Sequence, residues 1–231
     1  MENYKTVKIG EIVTRDFRAA EIFKNAGIDF CCGGNQSLEQ TCIEKKLDIS
    51  EIEKKLIDLE NTDADNLHNF NEWNLDFLCD YIVNTHHKTV LKLLPQLTAY
   101  TQKISDVHGP HHPELIEIAK LFSLVNTELL QHLNKEEDVL FPAIKEVLKT
   151  NSSKSKEIII SEIARMKVEH EFAGGTIDKI NVLSNNYMVP PDGCNTYQVT
   201  YKLLEQFEDD LHIHVHLENN ILYPKALNIT N

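Results

Sequence analysis

His132-Leu-Asn-Lys-Glu136-Glu-Asp-Val-Leu-Phe-Pro142 and His214-Val-His-Leu-Glu218-Asn-Asn-Ile-Leu-Tyr-Pro224 follow one pattern. Each is a His, a Glu four residues later, an apolar run, and a Pro six residues after the Glu. On a helix, positions four apart share a face. Each stretch therefore offers one imidazole and one carboxylate to the same point, and two such helices facing each other form a nest for two metal ions. The repeat reaches further back. His87 lies 45 residues before His132, and His170 lies 44 before His214. A two-fold repeat of this kind suits an antiparallel four-helix bundle rather than a solenoid. The offset between the halves also favours His87 over its neighbour His86.

Working outward, apolar periodicity predicts four long helices. The first spans about Glu72 to Ile104, with Pro95 inside it expected to kink or interrupt it. The second runs from about Glu114 to Phe141 and on past Pro142 to Leu148, the third from about Glu157 to Leu183, the fourth from about Thr196 to Tyr223. Residues 1–60 form a small helical unit. Thr14 or Asp16 is expected to cap a helix ending at Gly27, while Ser37-Leu-Glu-Gln40 and Ser50-Glu-Ile-Glu53 read as capping boxes. Residues 61–71 are polar and aperiodic and read as a linker, which leaves 72–231 for the bundle. No stretch reads as a strand, so the expected class is all-α.

Composition sets limits on function. A net charge of −13 over 231 residues argues against nucleic acid. No apolar run approaches the roughly 20 residues needed to span a bilayer. Met1 to Lys8 lack the apolar core of a secretory signal. Five cysteines, odd in number and without framework spacing, fit a reducing cytoplasm. Eleven histidines agree with metal binding.

His87, His132, Glu136, His170, His214 and Glu218 are the candidate ligands. Four imidazoles and two carboxylates exceed a structural zinc site and are too rich in nitrogen for Mg or Ca. The set suits two non-haem iron ions, with Mn the nearest alternative. His108 is too far along the first helix to join them, and His212 and His216 read as a surface cluster. Tyr81 and Glu169 are candidate partners for the imidazoles. Cys31 and Cys32 lie in a loop as two exposed thiols suited to metal capture or exchange, with Gly33 and Gly34 permitting close approach or positive φ. Cys42, Cys79 and Cys194 read as core or inert.

Asp29-Phe-Cys-Cys-Gly-Gly34, followed by the doubled His-x-x-x-Glu set, Val107-His-Gly109 and His216-Leu-Glu-Asn219, resembles the Repair of Iron Centres family. The resemblance covers nearly the whole chain. It implies an N-terminal cysteine-containing domain and a hemerythrin-like bundle, with iron carried at the six positions above. It further implies a cytoplasmic homodimer that restores iron–sulfur proteins whose clusters nitric oxide or oxidants have damaged. Iron donation, with Cys31 and Cys32 docking or relaying, is one mechanism that fits. Reduction of nitric oxide to nitrous oxide is another, and sensing or carriage of O2 or NO a third.

Overall fold

A computed structural model of the chain describes residues 4–62 and 69–230. Eight helices are described: α1 Ile9–Arg15, α2 Ala19–Asn25, α3 Leu38–Lys45 and α4 Ile49–Glu60, then four long ones. Helix α5 runs through Leu75–Ile82, Val83–His87 and Lys88–His108, and α6 through Glu114–Lys135, Glu136–Leu140 and Phe141–Thr150. Helix α7 is Ser153–Leu183. Helix α8 comprises Asn195–His216, Leu217–Leu222 and Tyr223–Asn228. Among the described residues there is no strand, only a single bridging pair, Lys8 with Ser37. The class is all-α. No helix among them is long and apolar enough to cross a membrane.

Two apolar clusters fix how the long helices run. One contains Leu75 to Ile82 of α5, Leu140 to Val147 of α6, Ile159 to Met166 of α7 and Leu217 to Ala226 of α8. The other contains Val90 to Ile104, Leu115 to Leu133, Ala173 to Ile180 and Tyr197 to Val215 of the same helices. Chain order alternates between them, so the helices run up, down, up and down, with a layer of buried polar residues between the clusters. Residues of α1 to α4, including Ile9, Phe23, Leu38 and Leu56, belong to the second cluster and share its core with the bundle.

Local expectations met several corrections. Ser37 caps α3, its side chain accepting from the Gln40 N–H, but α4 is capped by Asp48, two residues ahead of the expected cap, whose side chain accepts from the Ser50 N–H. The stretch from Thr14 to Ala26 does not make one helix. It breaks at Asp16, whose carboxylate accepts from the Arg18 N–H and binds the Arg18 side chain. Gly27 ends α2 with φ 64. Helix α5 continues through Pro95. Pro95 and Leu91 both lie on the solvent side, where water can reach the carbonyl that the proline leaves without a donor. Of the expected linker, residues 63–68 lie outside the described residues, and Phe70–Glu72 forms a short 3₁₀ turn.

Three of the four long helices widen to π geometry at the polar layer: Val83–His87, Glu136–Leu140 and Leu217–Leu222. The Phe141 N–H bonds back to the Glu136 carbonyl, and the Tyr223 N–H to that of Glu218. The prolines in the repeat explain the second and third. Pro142 and Pro224 cannot donate to the carbonyl four residues back, and their rings crowd it. A widened turn just before each proline removes that conflict, and such bulges recur at functional sites.

The N-terminal helices dock on α8 through Asn220. Its side-chain amide donates to the carbonyls of Phe30 (3.3 Å) and Cys31 (3.2 Å). A Cβ on Gly34 would lie 2.8 Å from Asn220 Oδ1 and 3.1 Å from Gly10 Cα. The close approach made by Gly34 is therefore to this chain's own helix, and neither Gly33 nor Gly34 has positive φ. Gly34→Ala is expected to destabilise the protein by about 1–3 kcal/mol through overpacking. Denaturant unfolding that shows no shift in midpoint would refute this close-packing account.

Candidate metal centre

The polar layer brings together all six residues singled out in the sequence. His87, His132, Glu136, His170, His214 and Glu218 are each at most 2% exposed. Their donor atoms form two overlapping groups: His87, Glu136, His214 and Glu218, and His132, Glu136, His170 and Glu218. Within each group the atoms lie no more than 4.8 Å apart. Both glutamates belong to both groups. The four Nε2 atoms turn inward: His214 Nε2 is 3.0 Å from Glu218 Oε1, His170 Nε2 3.2 Å from Glu218 Oε2, and His132 Nε2 3.2 Å from Glu136 Oε2. His87 Nε2 lies 3.4 Å from Glu136 Oε2 and 3.9 Å from Glu218 Oε1.

This donor set fits two cations. His87 Nε2, Glu136 Oε2 and Glu218 Oε2 are buried without any hydrogen-bond partner, a costly condition unless a positive ion lies among them. Each group supplies two imidazoles and two shared carboxylates, fewer than the six donors of an octahedral ion. Without cations, imidazolium must supply the positive charge. Burial pulls His87 down, but the carboxylates of Glu136 and Glu218 close to its Nε2 outweigh it and lift it to about 10. His132 rises to about 10 in the same way, burial being overcome chiefly by Glu136. Burial and the charge of Glu218 push Glu136 up, yet His132 and His87 bring it down to about 2. Metal loading therefore has to displace protons.

The outer contacts follow the same two-fold repeat, imperfectly. His87 Nδ1 donates to Glu137 Oε1 (2.8 Å), and its counterpart His170 Nδ1 donates to Asn219 Oδ1 (3.0 Å). Phe141 stacks on His87 with ring centroids 5.7 Å apart, and Tyr223 stacks on His170 at 5.8 Å. The Tyr223 hydroxyl also donates to Glu136 Oε1 at 2.6 Å, a bond that Phe141 cannot match. His132 Nδ1 donates to Glu169 Oε2 (2.9 Å), whereas His214 Nδ1 is buried without a partner. The carboxylate at Glu169 is held down to about 2 by His132, against burial, with help from Lys135. The two halves are thus alike in inner donors and different in outer ones. Glu137, Asn219 and Tyr223 were not picked out from the sequence. Their signal was the repeat itself, since the first two follow the two glutamates directly and Tyr223 aligns with Phe141.

His86 and His108 stay outside the centre, as their sequence reading has them, whereas Tyr81, His216 and Cys194 fall differently. His86 is buried but stays outside both groups; it stacks on His214 at 5.6 Å and bonds Asp210 through Nδ1 at 2.9 Å. Tyr81 packs against His86, Phe70 and Trp73 and touches no inward imidazole nitrogen. His216 is not on the surface. It is fully buried, its ring 5.7 Å from that of Phe30, because the N-terminal loop covers this side of α8. His108 lies away from the polar layer, with Nε2 3.2 Å from Cys194 Sγ. Cys194 is exposed rather than in the core; hydrogen bonds from His108 and from backbone N–H groups at the start of α8 bring its thiol down to about 7.

Cys31 and Cys32 sit beside the polar layer. Only Cys32 is partly exposed; Cys31 is buried under the loop, contrary to the expectation of two exposed thiols. Asp29 shapes the turn, its carboxylate accepting from the N–H groups of Cys31 (2.8 Å), Cys32 (3.0 Å) and Gly33 (2.7 Å). The Cys31 thiol donates to Cys32 Sγ at 3.9 Å, and the two are not joined by a disulfide. The hydrogen bond to Cys32, burial and the Asp29 charge push the Cys31 thiol well up, so it stays protonated. Cys32 Sγ lies 3.5 Å from the backbone carbonyl of His170. Asn219 completes the link, its amide reaching the Cys31 carbonyl at 3.5 Å while its oxygen accepts from His170 Nδ1.

Residues 80–226 match the hemerythrin HHE cation binding domain, and residues 5–60 match the ScdA_N domain, a domain of unknown function. The chain is also similar over nearly its full length to several iron–sulfur cluster repair proteins. It is 32% identical over 219 residues to the iron–sulfur cluster repair protein ScdA of Staphylococcus epidermidis, covering 94% of this chain and 96% of that protein. It is 35% identical over 224 residues to a probable iron–sulfur cluster repair protein of Haemophilus influenzae, with 96% of each covered. The iron–sulfur cluster repair protein YtfE of an Enterobacter species is 31% identical over 227 residues, covering 97% of this chain and 98% of that protein.

The Cys194–His108 pair yields a pH prediction. Alkylation of Cys194, followed by mass spectrometry of its peptide, is expected to be half-maximal near pH 7. His108→Ala should move that midpoint toward the value of about 8.5 for a free cysteine. An unchanged midpoint would show that His108 does not set the acidity of this thiol.

Proposed function

The chain belongs to the Repair of Iron Centres family of iron–sulfur cluster repair proteins, and from that premise we propose that it repairs damaged clusters by donating iron from a dinuclear centre. On this reading His87, His132, His170 and His214 hold two non-haem iron ions per chain, with Glu136 and Glu218 shared between them. Iron is favoured over its nearest competitor, Mn, by the high share of imidazole. Iron held by these residues would supply the metal that a damaged cluster has lost and would bind small ligands such as nitric oxide.

The observation that carries the reading is the placement of the thiols. Cys32 reaches the backbone of the His170 helix, and the Cys31 carbonyl is joined to the His170 imidazole through one side chain, Asn219. The cysteines are thus next to the centre without being among its donors. That position suits docking of a cluster protein or transfer of a soft-ligated ion, with Asp29 holding the loop and Gly34 holding it against α8. Asn219 orients His170 for the centre, while Glu137 and Glu169 do the same for His87 and His132. Tyr223 anchors Glu136. The working partners are iron–sulfur proteins with damaged clusters, met in the cytoplasm by a homodimer. Five free cysteines support a reducing compartment.

Nitric oxide reduction at the same centre is the second reading. It is favoured by the four-donor groups, since an ion held by four protein donors would keep positions for a small ligand. One pair of assays separates the two. Cys31→Ser with Cys32→Ser should keep the bound iron but drop reactivation of an NO-damaged cluster enzyme to the level of a control without protein. Iron lost from the protein should match cluster restored. If the double variant repairs as well as the unmodified chain, the donation route through the thiols is wrong. Nitrous oxide formed catalytically with reductant, without loss of iron, would favour the second reading.

A further inference from the structure

We propose that Asp178, Glu208 and His212 form a third, mononuclear site for a divalent cation, outside the dinuclear centre. Asp178 projects from α7, and Glu208 and His212 lie one turn apart on α8, so all three face the same cleft against the N-terminal loop. Their donor atoms lie within 4.8 Å of one another. Glu208 is 7% exposed, a buried carboxylate whose Oε2 accepts from Asn181 Nδ2 at 2.9 Å. The His212 ring is set edge-on to Phe30 with centroids 6.1 Å apart.

An independent feature of the same cleft calls for a ligand. Tyr187, 9% exposed, lines a cavity of about 490 Å³ together with these three residues, and its buried hydroxyl lies beside Glu208 and Asn181 without a hydrogen bond of good geometry to either. Such a group costs stability unless something in the cavity pairs with it. An ion at Asp178, Glu208 and His212 would bring bound water to that hydroxyl. The cavity's charge agrees: five carboxylates line it, against the ammonium groups of Lys24 and Lys45. Two oxygen donors and one imidazole suit ferrous or manganous ions better than magnesium or calcium, which prefer oxygen throughout.

Asp178 and His212 also line a second, smaller cavity of about 280 Å³ that contains Cys31 and Cys32. An ion held at this site would stand on the solvent side of the thiol pair. Under the donation reading it is a station for iron entering or leaving; that role rests on the reading, whereas the site itself does not.

The test is a titration of iron-replete protein with Mn(II) under anaerobic conditions, following free Mn(II) by its EPR signal and iron by elemental analysis. The unmodified chain should bind one Mn(II) without losing iron. Asp178→Asn, at an exposed position, should weaken that binding about tenfold or more and leave iron content unchanged, and Glu208→Gln should do likewise. A third measurement repeats the pair in a Glu218→Ala background. Mn(II) binding that still depends on Asp178 there supports the third site even if the dinuclear assignment fails. Absence of Mn(II) binding to the unmodified chain, or binding that Asp178→Asn leaves unaltered, overturns the proposal.

Discussion

Two glutamate carboxylates, those of Glu136 and Glu218, are fully buried in the middle of a helical bundle. An ionised carboxylate in such a place is tenable only if positive charge and hydrogen bonds surround it. Four imidazoles and one tyrosine hydroxyl meet that requirement, and the rest of the molecule is arranged to hold them. The apolar clusters above and below seal the layer from water. Three π turns re-aim the helices where they cross it, and Glu137, Glu169 and Asn219 fix the imidazoles from outside. The same requirement explains why the donors are shared. Each glutamate lies within reach of both imidazole pairs, so one compact set of donors would serve two cations.

The inner donors follow a two-fold repeat, and the outer contacts depart from it. The half containing His132 and His170 has Glu169 and Asn219, and the Tyr223 ring stacks on His170 while its hydroxyl holds the shared Glu136. The half containing His87 and His214 has Glu137 alone, with His214 Nδ1 unpartnered. Two ions at this centre would therefore have unlike surroundings, and the better-anchored half is the one joined through Asn219 to the cysteine loop. A centre that must release or exchange an ion benefits from such inequality, because one position can be held more firmly than the other.

The bundle and its six donors were legible because helical spacing converts directly into a shared face. His132 with Glu136 and His214 with Glu218 show this, and the repeat carried His87 and His170 with them. What escaped had a different physical origin. The π turns require a bonding shift that hydrophobic periodicity does not record, although Pro142 and Pro224 mark two of them. Burial of Cys31 and His216 comes from docking of the N-terminal loop on α8, a contact between segments nearly 190 residues apart. The Cys194–His108 pair likewise joins the end of one helix to the start of another, and Tyr81 turned toward Trp73 because aromatic packing was available there. Spacing reveals neighbours along a helix, while contacts between helices need the tertiary structure.

Sharing of Glu136 and Glu218 between two ions can be read from the metal content of a single variant. Protein purified anaerobically should contain about two irons per chain, the count implied by the two donor groups, and Glu218→Ala should lose both together. Retention of one firmly bound iron in Glu218→Ala would mean that the carboxylate serves one ion alone, and would contradict the bridged arrangement.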